Sequence, residues 1–542
     1  MNEPRENTSR IYDIVVVGAG IGGIYAVHRL TSAGWSVKGY EAAPDVGGVW
    51  WHNRYPGARV DVESIFYCYP DPELTRAWTW TERYPAQEEI LRYLQFAADR
   101  WDVRRHYSFN TRVAAIHWDP AEECYLIVDH AGDRVRSRFV LMATGQLSEA
   151  RRPDFPGLDD FAGEWYLTSH WPAEVTDLRD KRVGVVGTGS SGVQVVTALA
   201  DQAQSVHVFQ RTPNYSVPAQ NGPLDPQRLI EHQGQVENLK EVLWGRPNAM
   251  VIPGPERSGH ELTPEQRLEL LEERWSFGGH TMNLVFTDQN TDEDINTVVA
   301  DFVREKVRDL VEDPETAAAL EPNAYPIGTR RLIVDTGYYE SFNRPNVHLV
   351  DLRREPIETI VRTGVRTIER GIDLDVLVFA LGFDAFTGAL DRIDIRNEKG
   401  ETLTSGWTRG PQTYLGLMTS GFPNLFILAN AGSPSVLANL VMGNVHHVDV
   451  VEQLLAYMRE KGHRTVEPQR EAEREWSEHV GEVASPMIRL QVENYMVHVN
   501  DDGSRVFIPY AGGFDRYVRH VDEVVGDDYR GFVFDGGDGD DR

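Results

Sequence analysis

The first forty residues contain the pattern that most restricts the fold. Residues 11–17 form an apolar, β-branched run that predicts a buried strand, and the glycine-rich segment 18–23 follows it directly. A helical pattern then continues to about residue 32, and a second strand, residues 36–40, ends on Glu41. In such a unit the glycines allow the tight turn, the approach of a pyrophosphate and the packing of the helix on the strand. A carboxylate at Glu41 accepts hydrogen bonds from ribose hydroxyls, so the unit predicts a dinucleotide site.

The same pattern occurs a second time. A strand over residues 182–186 is followed by the glycine-rich segment 187–192, a helical pattern and a strand over residues 206–210. This strand ends on Arg211 and Thr212 instead of an acid, which favours a dinucleotide that carries a 2′-phosphate. The second unit therefore predicts NADP(H). We assign FAD to the first unit, since an acid-ended N-terminal unit is usual in flavoproteins.

Composition and charge exclude several classes of protein. A chain of 542 residues exceeds the size of a single core and predicts two or three domains. The net charge of −29 disfavours nucleic acid and anionic membranes as partners. Only Cys68 and Cys124 occur, without the spacing of a disulfide framework or a dithiol centre, which fits a reducing cytoplasm. No apolar run has the length of a signal peptide or a membrane span. We expect a cytoplasmic monomer without a metal centre.

The predicted fold is α/β, with two Rossmann-like dinucleotide-binding domains built from discontinuous segments, and a helical insertion. Strands that end near Gly145 and Gly382 would carry the chain between the two domains, as in other flavoproteins with two dinucleotides. The expected domains are an FAD-binding domain (1–147 and 381–542), an NADPH-binding domain (148–213 and 332–380) and the insertion (214–331).

Two helices are predicted within the insertion. Thr263, Pro264 and Gln266 have the form of a helix start with a capping box. Leu268, Leu271 and Trp275 follow at helical spacing and are expected to share one buried face. A second amphipathic pattern runs from about residue 294 to residue 312.

Residues 47–64 fit neither a helical nor a strand period, and their glycines and tryptophans suggest backbone laid against a flat aromatic ligand. Residues 47–61 match the pattern Ala/Gly-Gly-x-Trp-x4-Phe/Tyr-Pro-Gly/Met-x3-Asp, and residues 161–172 are similar to Phe-x-Gly-x3-His-x3-Trp-Pro/Asp. On these motifs the chain resembles the type I Baeyer–Villiger monooxygenases, in particular the phenylacetone, steroid and cyclohexanone branches.

The resemblance implies an NADPH- and O2-dependent flavoprotein monooxygenase that contains FAD. It would convert ketones, either aryl, cyclic or bulky, to esters or lactones through a C4a-peroxyflavin and a Criegee intermediate. By position, Arg331 matches the active-site arginine, Asp61 the acid that pairs with it, and Arg330 the neighbouring residue that contacts the cofactor. The substrate-pocket loop corresponds to Val436, Leu437, Ala438 and Leu440.

The two glycine-rich units and the resemblance together give a set of expected cofactor-binding residues. They are Gly18, Gly20, Ile21, Gly22, Gly23, Glu41, Gly48, Val49, Trp50, Trp51, His52, Arg59, Asp61, Tyr67, Val113, Gly187, Thr188, Gly189, Ser190, Ser191, Gly192, Gln194, Arg211, Thr212, Arg330, Arg331, Leu440 and Tyr495.

The match departs from the family pattern in the parts associated with holding NADPH. Leu167 stands at the position of the fingerprint histidine, and Tyr495 stands where the family has tryptophan. Two alternative functions follow. A flavin monooxygenase of sulfur or nitrogen substrates is disfavoured by an arginine beside the flavin, because soft nucleophiles need the protonated hydroperoxide. A weakly coupled NADPH oxidase, or a nucleotide-binding module without catalysis, is suggested by the two departures.

Overall fold

A computed structural model describes residues 6–174 and 177–535, so the outermost ends of the predicted FAD-binding domain lie outside the described residues. Within these ranges the strands, numbered in chain order, are β1 Glu6–Val17, β2 Val37–Tyr40, β3 Tyr107–Ser108, β4 Val113–Asp119, β5 Cys124–Asp129, β6 Arg134–Met142, β7 Glu149–Ala150, β8 Glu164–Leu167, β9 Arg182–Val186, β10 Ser205–Gln210, β11 Ser216–Pro218, β12 Ile333–Asp335, β13 Val347–Asp351, β14 Ile357–Val361, β15 Gly364–Thr367, β16 Gly371–Asp373, β17 Val376–Phe379, β18 Phe383–Asp384, β19 Asp394–Arg396, β20 Leu425–Ile427, β21 Val466–Pro468, β22 Val497–Val499, β23 Arg505–Phe507 and β24 Phe532–Phe534.

The α-helices of the same residues, numbered in chain order, are α1 Ile21–Ser32, α2 Val49–His52, α3 Pro72–Ala77, α4 Gln87–Arg100, α5 Ser190–Leu199, α6 Pro226–Gly234, α7 Leu239–Trp244, α8 Pro264–Phe277, α9 Glu293–Leu310, α10 Pro314–Leu320, α11 Tyr338–Ser341, α12 Gly388–Asp391, α13 Leu440–Lys461, α14 Arg470–Ala484 and α15 Phe514–Gly526. None of the helices in the described part of the chain combines the length and the apolar character that a bilayer crossing needs.

The larger sheet is assembled from the first third and the last third of the chain. Its order is β19-β4-β5-β6-β1-β2-β3, and β20 adds to β6. The strand β1 lies between β2 and β6 and runs parallel to both. Residues Ile14 and Val16 are buried against the helices α1 and α13, and Val15 is buried on the other face against residues of β4, β5 and β20.

The second sheet is fully parallel and lies in the middle of the sequence. Its order is β13-β10-β9-β17-β8, so strands from residues 164–210 are completed by strands from residues 347–379. In each sheet a central strand, β1 or β9, leads through a glycine-rich loop into a helix, α1 or α5. The prediction of an α/β fold with two Rossmann-like units is confirmed.

The region between the strands β11 and β12 is mostly helical. The helix α8 begins at Pro264 with the predicted capping box, in which Thr263 and Gln266 bond to each other's backbone N–H. Leu271 is buried (2% exposed), but the expectation for Leu268 is wrong, because its side chain is 50% exposed. The first turns of α8 are mostly exposed, so no other element covers Leu268. Helical spacing alone predicts its burial wrongly.

Candidate active site

The loop between β1 and α1 presents free backbone donors. Gly20 precedes the helix, and no side chain caps the N–H groups of the first turn. Uncapped N–H groups at a helix N-terminus form a ready anion site, as the pyrophosphate of a dinucleotide requires. Gly18 has a φ of 106°, and a Cβ atom there would lie 2.4 Å from the carbonyl oxygen of Ala143. Only glycine therefore permits this turn.

Glu41 ends β2 beside this loop. Its carboxylate accepts hydrogen bonds from the backbone N–H groups of Ala19 (2.6 Å) and Ala43 (2.7 Å). Burial raises the pKa of Glu41, and these backbone hydrogen bonds partly offset the rise. Each carboxylate oxygen keeps a second lone pair, so Glu41 can still accept hydrogen bonds from ribose hydroxyls.

Residues 47–64, called here the flavin-loop segment, pack directly against the glycine-rich loop 18–23. Gly48 has a φ of 56°, and a Cβ atom there would lie 2.9 Å from the Cα atom of Gly20. Behind this narrow approach, the indole Nε1 of Trp50 donates to the hydroxyl of Tyr67 (3.1 Å), and both side chains are buried. Gly20 and Gly48 face each other without side chains, beside the uncapped N-terminus of α1. This arrangement lets a ligand approach the backbone closely and fits FAD.

His52 ends the short helix α2 at the border between the two sheets. Its ring lies 4.9 Å from the ring of His170, centroid to centroid. Burial, with the nearby charges of His170 and Arg54, lowers the pKa of His52 to about 4. Leu167 ends β8 and packs beside Phe379 in an apolar cluster. His170, rather than the residue at the fingerprint position, therefore contacts the flavin-loop segment.

The second glycine-rich loop has the same open helix end. No side chain caps α5 after Gly189, and a Cβ atom on Gly189 would meet nothing within 4 Å. The hydroxyl of Thr188 donates to the carbonyl oxygen of Thr212 (3.1 Å), which ties the loop to the end of β10. Arg211 is exposed there, and across residues 6–174 and 177–535 no carboxylate pairs with it. This corner fits the 2′-phosphate of NADP.

The two nucleotide units meet through the flavin-loop segment. The hydroxyl of Tyr55 donates to Gln194 Oε1 (2.8 Å), and Gln194 Nε2 donates to the carbonyl oxygen of Arg59 (3.1 Å). A Cβ atom on Gly57 would lie 2.5 Å from the carbonyl oxygen of Gln194. Gln194, which the sequence predicts as a cofactor residue, thus links α5 to the flavin-loop segment.

Asp61 and Arg331 form a bidentate ion pair although they are 270 residues apart in the sequence. Arg331 Nε donates to Asp61 Oδ2 and Arg331 Nη2 donates to Asp61 Oδ1, each at 2.8 Å. Burial would raise the pKa of Asp61, but the adjacent guanidinium, helped by His280, holds it well below its usual range. Burial would likewise lower the pKa of Arg331, and the Asp61 carboxylate raises it. Both groups therefore stay charged at neutral pH.

The predicted substrate loop lies against this ion pair. Arg331 Nη1 donates to the carbonyl oxygen of Val436 (2.9 Å). Burial raises the pKa of the Tyr495 phenol, and the nearby charge of Arg331 opposes the rise. The predicted substrate residues Val436, Leu437, Ala438 and Leu440 are all half-buried. Apolar side chains thus line the approach to a fixed cation.

The remaining predicted residues lie around this centre in varied roles. Arg330 stacks on the ring of Tyr325, with 4.5 Å between the guanidinium carbon and the ring centroid. Arg59 pairs with Glu82 (2.8 Å). Val113 begins β4 and is buried. The ring of Trp51 carries the guanidinium of Arg54, and Ser191 shares a hydrogen bond with Thr168.

Several polar groups near the site were not predicted. His280 Nε2 lies 3.4 Å from Asp61 Oδ2, and Arg489 Nη2 donates to the carbonyl oxygen of Gly328 (2.9 Å). Gln146 Nε2 and Ser148 Oγ are buried without a hydrogen-bond partner among the described residues. Gln146 and Ser148 follow the carboxyl end of the parallel strand β6, which is where ligands bind in open α/β sheets, so that rule could have found them.

A separate cavity of about 330 Å³ lies behind this region and is lined by Arg83, Arg228 and Phe277 among others. Both arginines pair with the buried Glu63 at 2.7 Å. Asp61 and Arg331 do not line it. In the described ranges no three His, Cys, Asp or Glu side chains come together as metal ligands would.

The chain is similar along nearly its whole length to known proteins. A family model for pyridine nucleotide-disulphide oxidoreductases matches residues 12–223. A Baeyer–Villiger monooxygenase of Pseudooceanicola batsensis is 36% identical over 99% of this chain and 99% of its own length. The solved structure of an oxidised steroid monooxygenase bound to NADP is 43% identical, with a TM-score of 0.94 over 97% of this chain and 100% of that chain. A structure of OTEMO with FAD and NADP is 36% identical, with a TM-score of 0.93 over 98% and 100% of the two chains.

Proposed function

The chain belongs to the Baeyer–Villiger monooxygenases, and we propose that Asp61 and Arg331 are the centre of its ketone oxidation. As a member of this family it is an NADPH-dependent flavoprotein monooxygenase. FAD, when bound, accepts a hydride from NADPH and activates O2. The first glycine-rich unit, with Gly20, Gly48 and Glu41, would hold FAD, and the second, with Arg211, would hold NADP(H).

The arginine would act on the charge that develops on oxygen. A ketone carbonyl oxygen becomes negative when its carbon turns tetrahedral, and a fixed guanidinium stabilises that charge. Arg331 has five N–H groups. Asp61 and Val436 accept hydrogen bonds from its three nitrogen atoms, and N–H groups remain to donate to a substrate oxygen. Asp61 would limit the rotation of Arg331 and offset its desolvation.

The observation that supports this role best is the bidentate geometry of the pair beside a half-buried apolar loop. The charges of Asp61 and Arg331 converge beside Val436 and Leu437, whose half-buried side chains are apolar. We propose aryl, cyclic or bulky ketones as substrates, which give esters or lactones.

The experiment is a ketone panel with product mass and NADPH consumption measured together. We expect a gain of one oxygen, with one NADPH consumed for each ester formed. Arg331→Ala is expected to keep flavin reduction by NADPH and to lower ester formation by roughly 10²–10³, the usual effect of losing one oxyanion donor. Ester formation at the wild-type rate in Arg331→Ala would remove this residue from the mechanism.

A matched control is available in Arg182, which forms a bidentate pair with Asp375 (2.8 and 3.1 Å) at the start of β9. Arg182→Ala breaks a comparable pair away from the site, so its ester formation should stay near the wild-type rate. NADPH consumption with peroxide as the only product would favour the oxidase alternative. Oxygen transfer only to sulfides or amines would favour the second alternative.

We also propose the domain assignment of 1–147 with 381–542 for FAD, 148–213 with 332–380 for NADPH, and 214–331 as an insertion. The order of the two sheets supports it. A location in the cytoplasm is proposed because the two cysteines, Cys68 and Cys124, are buried and free. We also propose that the protein is a monomer. Light scattering coupled to size-exclusion chromatography tests the monomer, and a mass near twice 61.3 kDa would contradict it.

A further inference from the structure

A histidine from the insertion reaches the ion pair of the site. His280 belongs to the 3-10 helix Gly279–Asn283, which follows α8. Its Nε2 atom lies 3.4 Å from Asp61 Oδ2, the same oxygen that accepts from Arg331 Nε. The side chain is 14% exposed, and Nε2 is shielded from solvent and has no hydrogen-bond partner among the described residues, so the Asp61 carboxylate at 3.4 Å is the polar group it faces.

Two glycines turn the chain so that His280 points to Asp61. Gly278 and Gly279 have φ values of 81° and 66°, and residues with a Cβ atom rarely adopt such backbone conformations. A Cβ atom on Gly279 would lie 2.1 Å from the hydroxyl oxygen of Tyr84. The hydroxyl of Thr281 then donates to the carbonyl oxygens of Arg274 and Gly278, both at 2.9 Å. The backbone around His280 is thus fixed from both sides.

The chemistry of the contact selects one form of the imidazole. The Asp61 carboxylate is an acceptor only, so the facing Nε2 atom must carry a proton for the contact to be favourable. An N–H group of His280 that faces Oδ2 restricts the rotation of the Asp61 carboxylate, in addition to the restriction that Arg331 imposes. It also shares the negative charge of Asp61, which leaves more of the positive charge of Arg331 for a substrate oxygen.

We propose that His280 is a positioning residue for ketone oxidation, which acts through Asp61 on the guanidinium of Arg331. This role rests on the function proposed above. His280→Leu removes the donor and keeps the apolar volume, whereas His280→Gln places an amide N–H near the position of Nε2. We expect His280→Leu to lower kcat for ester formation about tenfold, an effect of the size found when one polar contact to a charged group is lost. His280→Gln should return to within about threefold of the wild type.

The same variants separate positioning from a merely structural role. Flavin reduction by NADPH and the KM for the ketone should be unchanged in His280→Leu, while the ester formed per NADPH falls. His232 offers a control, since it is also buried but faces Cys68, 3.9 Å away. His232→Leu should leave the ester-to-NADPH ratio intact. Equal losses in both reactions, or no rescue by glutamine, would overturn the proposal.

A second measurement does not depend on turnover. In a double-mutant cycle, thermal unfolding of the FAD-loaded protein is compared for wild type, His280→Leu, Asp61→Asn and the double variant. Groups in contact give non-additive effects, so the double variant should be destabilised by less than the sum. Additive effects would show that His280 and Asp61 do not interact. If the wild type forms no ester from any ketone, the proposed function fails, and this cycle still tests the contact.

Discussion

Two charged side chains of the site, Asp61 and Arg331, are partly buried, and protein stability alone does not explain their position. Arg331 is 33% exposed and Asp61 22% exposed, so the pair loses much of its hydration. Replacing a buried ion pair by apolar side chains is often neutral or stabilising, which makes such a pair weak evidence for structural need. Its retention beside an apolar loop is better explained by the need for a fixed cation at one place.

The charge at Arg211 leads to a prediction about the cofactor. Arg211→Ala should raise the KM for NADPH by about tenfold or more, since a charge-assisted hydrogen bond to the 2′-phosphate is lost. The KM for NADH should hardly change, because NADH has no phosphate at this position. Steady-state kinetics with both cofactors measures the ratio. An equal rise for NADPH and NADH would show that Arg211 holds the loop and does not recognise the phosphate.

At the level of elements, the flavin-loop segment is locked to α5. Gly57 has a φ of 81°, and its added Cβ atom would press on the carbonyl oxygen of Gln194 at 2.5 Å. Gly57→Ala should therefore lower the free energy of unfolding by about 1–3 kcal/mol and weaken NADPH binding through α5. Urea unfolding and NADPH titration measure the two effects.

A second glycine provides the matched control for this variant. Gly34 has a similar φ of 85°, and a Cβ atom there would meet nothing within 4 Å. Gly34→Ala carries the backbone strain alone, so the difference between the two variants reports the contact between the loop and α5. If Gly34→Ala and Gly57→Ala behave alike, that contact contributes little.

Elements with local signals could be predicted from the sequence, and contacts between distant elements could not. The strand, glycine and acid order predicts β1, α1 and Glu41, because each signal lies within a few residues of its effect. The start of α8 follows from its capping box. The predicted burial of Leu268 is wrong, because burial depends on which other element covers that turn of the helix.

The site shows the same division. Asp61 and Arg331 are predicted as partners only through family resemblance, since no local pattern joins residues so far apart. The contact of His280 with Asp61 depends on how Gly279 packs against Tyr84. The sequence around His280 does not specify that packing. A Gly-Gly-His run in a loop is the one local sign of it.

For the whole molecule, buried histidines predict acid sensitivity. Burial lowers the pKa of His52, His207, His232 and His447 to about 4, and it holds the pKa of His446 well below its usual range. The unfolded chain takes up these protons near pH 6.5 and the folded chain only near pH 4, so stability is lost as the pH falls through this window. Each fully buried histidine contributes about 1.4 kcal/mol per pH unit.

The measurement is thermal unfolding between pH 7.5 and pH 5. We expect the midpoint to fall steadily below about pH 6.5. His447→Gln should reduce the slope, because His447 Nδ1 and Nε2 lie in a buried contact with Ala429 and Tyr517. A midpoint that rises on acidification would mean that relief of the net charge of −29 outweighs the histidines.

The order of the strands also determines when the larger sheet can be completed during synthesis. The strand β6 ends at Met142, but its neighbour β20 begins only at Leu425, where Leu425 pairs with Val140. A ribosome that adds about 5–20 residues per second needs roughly 15–60 s to make the intervening chain. Throughout that interval the end of β6 has an open sheet edge, while the middle of the chain emerges. Flavin capture should consequently be a late event, and chaperones that shield strand edges should have their greatest effect before residue 425 leaves the exit tunnel.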